Sequence, residues 1–173
     1  NGAWVQYVND SIPDPRKDLQ FTIAAVINRS GIAPIDKHAI AYVSALAAGN
    51  GGLAFEIEHN SPLFTAEAER EAAKTAASLM GQNNVWYPFV EMAADEGMKG
   101  LPAGLRMNAY ATHGGVSKKK FEMYSLAASI IGKCHFCVKA HYDTLKKEGM
   151  TTQELMAIGR IAAVVNAIGK VSI

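Results

Sequence analysis

Apolar residues recur along this chain at helical spacing almost throughout. Between Asp14 and Arg29, Leu19, Ile23, Val26 and Ile27 fall on one stripe, and the stretch ends at Gly31. Pro34 opens a second helix that runs through Ala48 and is stopped by Gly49-Asn50-Gly51-Gly52. A short segment around Leu53 to Glu58 precedes Asn60-Ser61-Pro62. Thr65 introduces a helix from Ala66 to Met80, stopped at Gly81, and Trp86 to Ala94 reads as another, with Pro88 admissible in its first turn. From Gly97 to Gly115 the pattern is punctuated by Gly100, Pro102, Gly104 and Gly114, and Leu105 to Tyr110 reads as a short helix. Ser117 is the N-cap of a helix through Phe121, Tyr124, Leu126 and Ile130 to Gly132. Cys134 to Lys147 follows, with Lys146 and Lys147 in its last turn and Gly149 beyond it. Thr151 and Glu154 have capping-box spacing and start a final helix through Leu155, Ile158, Ile161, Ala162 and Val165. Alanine is abundant and strict period-two alternation is scarce, so no segment reads as a strand. The fold class is all-α.

The pattern also repeats. The residues from Glu71 to Gly81 align with those from Glu122 to Gly132 at a constant spacing of 51 positions. Both copies read as a helix ended by glycine and followed by a second helix, a duplicated helical hairpin. Chance is the competing explanation, because Ala-rich helices resemble one another. Asn83, Trp86 and Val90 occupy in the first copy the places that Cys134, Cys137 and His141 hold in the second.

Composition narrows the setting. At 173 residues the chain is expected to be one domain with a full core. A net charge of +1 and a single basic run, Lys118 to Lys120, argue against a nucleic-acid partner. No apolar stretch approaches the ~20 residues that span a bilayer, so no membrane partner is expected. The chain begins at Asn1, which leaves upstream residues and a removed leader open. Two cysteines so close together cannot build a disulfide framework, and the expected location is the cytosol.

Those two cysteines are the only ones, and they share one segment with a histidine: Cys134, Cys137 and His141 stand at i, i+3 and i+7, one face of a helix. Cys134 falls at the helix N-terminus, where free amides and the dipole favour an anion. His141 lies a turn beyond Cys137 and is placed to accept its proton. Glu122 stands in the preceding helix, where a hairpin folds its carboxylate back toward His141, either to orient the ring or to serve as terminal proton acceptor. After oxidation of one thiol the other is close enough to form a disulfide. Other readings of the same residues are a zinc site using His141 with His135, His113 or His59, and two inert core cysteines. Covalent haem attachment is disfavoured because Val138 stands where a histidine is required, and a thioredoxin fold because βαβ units are absent. His38, His59 and His113 read as surface or loop histidines.

Gly104-Leu105-Arg106-Met107-Asn108, then Phe121-Glu122, then Cys134-His135-Phe136-Cys137 and His141 together resemble the alkyl hydroperoxidase D family, dithiol peroxidases of the carboxymuconolactone decarboxylase-like superfamily. The likeness is strongest from Met80 to the C-terminus. It implies an all-helical fold with a duplicated motif and a homotrimer. It also implies a peroxide-reactive Cys137, a resolving Cys134, and a proton relay through His141 and Glu122. No bound cofactor is implied. The expected substrate is an organic hydroperoxide or an oxidised partner peroxiredoxin, and electrons are expected from dihydrolipoamide on a lipoyl-bearing adaptor protein. A disulfide reductase that regenerates a peroxiredoxin is the alternative activity; a decarboxylase is disfavoured, since that chemistry in the superfamily does not use a dithiol. One departure stands out: members of the family can carry a histidine just before the second cysteine, where this chain has Phe136, its histidine being displaced to His135.

Overall fold

Helix signals are dense enough that the computed structural model, described for residues 2–107 and 115–171, contains eight α-helices and no strand among those residues. In chain order they are α1 (Ala3–Ser11), α2 (Asp18–Asn28), α3 (Pro34–Ala47), α4 (Gly51–His59), α5 (Glu67–Ala93), α6 (Lys118–Gly132), α7 (His135–Lys147) and α8 (Thr152–Ile168). None of the described helices is long and apolar enough to cross a membrane. The middle of the fold is α3, which packs against α5, α6 and α8 and buries every residue from Asp36 to Ala45.

Local signals held where their chemistry is local. The Ser117 hydroxyl accepts from the Lys120 amide at 3.2 Å. Thr151 and Glu154 form the reciprocal capping box, with bonds of 2.9 and 3.1 Å. Other expectations need correction. The apolar stripe of Trp4, Val8 and Ile12 forms a helix that the pattern reading left out, and all three side chains are buried. A nine-residue helix is marginal alone, so burial of these residues, about 1.5–3 kcal/mol each, fixes α1 to the core. Asp14–Arg16 is a separate 3-10 turn before α2. The segment after Gly49 is a full helix from Gly51 to His59. Leu105–Met107 is not helical, and the rest of the short helix expected there, with His113, lies outside the described residues.

The largest correction concerns the repeat. In the first copy there is no break at Gly81: α5 runs without interruption through Gly81 and Pro88, so Pro88 lies deep inside the helix rather than in a first turn. Glycine in a helix costs about 1 kcal/mol, which packing of the rest of α5 outweighs. In the second copy the chain does break, at Lys133, which adopts the left-handed conformation with φ 54°. Gly132 is required there for a different reason: a Cβ at that position would overlap the Asn84 side chain of α5, whose amide donates to the Ala128 carbonyl at 3.1 Å. The repeat is therefore one straight helix beside one bent pair, and only the bend creates a new helix N-terminus.

Two buried polar groups tie the helices together. The Tyr124 hydroxyl of α6 donates to Asp36 of α3 at 3.0 Å, and Lys120 bridges Asp36 (3.6 Å) and Glu69 of α5 (3.0 Å). Burial, followed by the Asp36 charge, pushes the Tyr124 phenol well above its ordinary range. His38, expected at the surface, is fully buried, and its Nδ1 accepts from Trp4 Nε1 at 3.0 Å. Burial, then the neighbouring Lys37 charge, lowers its pKa from 6.5 to about 4. Between those two values the unfolded chain binds a proton here that the folded chain does not, so this group lowers stability as pH falls through that window. The expected result is that wild type and His38→Gln differ less in unfolding free energy at pH 4 than at pH 7. A pH-independent difference in chemical denaturation would refute the assignment.

Candidate active site

The bend at Lys133 sets the local geometry. After it, Cys134 takes an extended conformation and becomes the N-cap of α7, its Sγ accepting the Cys137 amide hydrogen at 3.2 Å. The Cys134 amide in turn reaches back to the Ser129 carbonyl of α6 at 3.4 Å. Cys134 and Cys137 are joined as a disulfide. One turn further along, His141 Nδ1 lies 2.6 Å from Glu122 Oε2, both side chains buried. The structure therefore brings Cys134, Cys137, His141 and Glu122 into one cluster where α6 turns into α7. In the first copy the equivalent of Glu122 is the exposed Glu71, because the unbroken α5 never folds a partner helix back over it.

Helix α5 completes the cluster with Met80 and Asn83, to which the pattern of the sequence assigns no role at the site. The Met80 sulfur lies 3.2 Å from His141 Nε2, and the Asn83 carbonyl lies 3.8 Å from Cys137 Sγ. The signal for them was the likeness that begins at Met80; nothing in the local spacing pointed to a role. Phe136, half exposed, stacks on Tyr87 with ring centroids 4.6 Å apart. Both rings line a cleft of about 230 Å³ that reaches Cys137 and His141, walled by Met80, Met107 and Ala140. Phe136 thus stands at the mouth of this cleft, while His135 points into solvent near Glu91. A second cleft, of about 490 Å³, lies over the buried Cys134, between Lys133, Val138, Lys139 and Tyr142. A wider and more polar cleft of about 830 Å³ lies between α1 and α2 and touches none of the four residues.

The chemistry available follows from these positions. The Cys137 amide, which donates to Cys134 Sγ, and the start of α7 favour negative charge on Cys134 when the pair is reduced. The buried Glu122–His141 pair can take up or release a proton beside Cys137. The wall of the smaller cleft is apolar and suits a carbon-bearing reactant.

The Carboxymuconolactone decarboxylase family model matches residues 96–172, a span that holds all four residues. Curated relatives extend the match over nearly the whole chain. An alkyl hydroperoxide reductase AhpD from Coxiella burnetii is 38% identical over 172 residues, covering 98% of this chain and 97% of its own length. The chain belongs to the AhpD family. AhpD proteins of Maricaulis maris and a Bradyrhizobium species are 35% and 34% identical, covering 96% and 95% of this chain and 96% and 90% of their own. The AhpD likeness therefore includes α1 and α2, where the motifs alone were not distinctive.

Proposed function

We propose that the protein is a thiol-dependent peroxidase that reduces organic hydroperoxides through a Cys134/Cys137 dithiol–disulfide cycle in antioxidant defence. The observation that carries this reading is the buried Glu122–His141 pair behind a disulfide cysteine that faces an apolar cleft. The names of the relatives, alkyl hydroperoxide reductase AhpD, support it.

In the reduced protein His141 takes the Cys137 proton, with Glu122 balancing the charge. The Cys137 thiolate attacks the terminal peroxide oxygen. An S–O bond forms, the O–O bond breaks, and the alkoxide takes the proton back from the pair and leaves as alcohol. Cys134 then attacks the sulfenic sulfur of Cys137; the disulfide forms and water departs. An external dithiol of the dihydrolipoamide type returns two electrons, with no bound cofactor in the cycle. The hydrogen bond from the Cys137 amide to Cys134 Sγ makes Cys134 the better leaving thiolate, so the reductant attacks Cys137. The same hydrogen bond favours the Cys134 thiolate in the resolving step, and the Cys134 thiol proton leaves with the sulfenic hydroxyl as water.

A lipoyl-bearing adaptor as donor and assembly as a homotrimer complete the proposal. Exposed apolar side chains on the second half of α5, Val85, Phe89 and Met92, support self-association. A second reading, reduction of an oxidised peroxiredoxin, is favoured by the wide cleft bounded by Lys133, Val138, Lys139 and Tyr142 beside the buried Cys134, which gives a protein partner room to approach the pair. Steady-state turnover of cumene hydroperoxide with dihydrolipoamide, with and without a peroxiredoxin, separates the two. Turnover of peroxide alone is the expected result; turnover only with the peroxiredoxin present would replace the first reading with the second.

A further inference from the structure

His141 offers two ring nitrogens, and the structure gives each an acceptor. Nδ1 faces the Glu122 carboxyl at 2.6 Å, and Nε2 faces the Met80 sulfur at 3.2 Å. A thioether has no hydrogen to give, so the second contact is a hydrogen bond when Nε2 carries the hydrogen. Met80 is itself almost completely buried, on the α5 turn that also brings the Asn83 carbonyl to Cys137. Met80, His141 and Cys137 line the same cleft.

We infer that Met80 is a positioning residue whose thioether holds the His141 Nε2 hydrogen at the wall of the cleft, where the departing alkoxide takes it. This rests on the peroxidase reading. The Cys137 thiol proton passes to the ring. The thiolate gives an electron pair to the terminal peroxide oxygen, the O–O bond breaks, and the alkoxide takes the Nε2 hydrogen, leaving a neutral ring, a sulfenic acid and an alcohol. Sulfur suits this task because it is a weak acceptor. It orients the hydrogen without competing strongly with an alkoxide, whereas a carboxylate at this position would retain it.

The leaving group supplies the test. tert-Butyl hydroperoxide expels a strongly basic alkoxide that needs the hydrogen; peracetic acid expels a carboxylate that does not. Met80→Leu keeps apolar volume and removes the acceptor, and Met80→Gln replaces it with an amide oxygen. For Met80→Leu, kcat/KM toward tert-butyl hydroperoxide should fall roughly five- to tenfold. Toward peracetic acid it should change by less than about twofold, since that leaving group draws nothing from general-acid catalysis. Met80→Gln should restore most of the lost rate. An equal loss on both oxidants, as a packing role would give, or no loss on either, overturns the inference.

A second measurement stands apart from turnover. In the reduced form labelled with 15N-histidine, where the ring holds the Cys137 proton, the Nε2 hydrogen of wild type should be visible and slow to exchange with water, and in Met80→Leu it should exchange rapidly. Equal exchange in both proteins overturns the inference. If wild type reduces neither oxidant, the peroxidase reading falls, and the hydrogen-exchange comparison decides the Met80 contact alone.

Discussion

Cys137→Ser is expected to abolish hydroperoxide turnover, with kcat/KM down by at least about a thousandfold. A serine hydroxyl fills nearly the same space as the thiol but is not an effective nucleophile at neutral pH, so circular dichroism should show the fold retained. Cys134→Ser should behave differently. Its Cys137 can still be oxidised once, but the sulfenic acid then lacks the neighbouring thiolate that the N-cap of α7 holds ready. Loss of an intramolecular partner should slow steady-state turnover by about a hundredfold or more. Under repeated peroxide, mass spectrometry should find sulfinic acid at Cys137, because the disulfide no longer intercepts the first oxidation product. The asymmetry between the two variants is the informative outcome. If Cys134→Ser lost the initial burst of alcohol and Cys137→Ser kept it, the attacking and resolving roles would have to be exchanged, and the hydrogen bond from the Cys137 amide to Cys134 would then mark the nucleophile.

Which parts of this site were legible before the structure depended on how local their causes are. The capping box at Thr151 and the cap at Ser117 are set by residues three positions apart, and both were readable from spacing. The approach of Glu122 to His141 was readable as a hairpin because a short turn leaves two helices little choice but to pack back on each other. Glycine was the misleading signal. Gly81 and Gly132 occupy equivalent positions in the repeat, yet α5 runs straight through the first, and the second ends a helix whose break falls on Lys133. What distinguishes them is Asn84, which presses against Gly132 from another helix, and no local pattern contains that contact. His38 was misread for the same reason, since its partner Trp4 lies 34 residues earlier in the chain. Met80 was invisible as a functional group because a methionine on an apolar stripe is ordinarily core; only the fold places its sulfur against His141.

The Glu122–His141 pair carries the other large prediction, and it must be separated from a purely structural role. Both side chains are buried, so removing one partner leaves the other without its counterpart. His141→Phe alone is expected to cost about 3–5 kcal/mol of stability, and Glu122→Ala a similar amount. Either loss of activity could then be blamed on unfolding. Replacing both partners together, as Glu122→Met with His141→Leu, removes the polar groups in matched fashion and should recover most of that stability. Activity should not recover with it. Without the pair, thiolate formation and alkoxide protonation both fall to water, and kcat/KM toward an alkyl hydroperoxide should stay about a hundredfold to ten-thousandfold below wild type. The residual rate of the double variant should also rise steadily with pH toward the range where an unassisted thiol ionises, about 8.5. Chemical denaturation and a pH–rate profile on the same preparations make the comparison. A double variant that is both stable and fully active would show that the pair only holds α6 against α7 and that Cys137 obtains its proton transfer elsewhere.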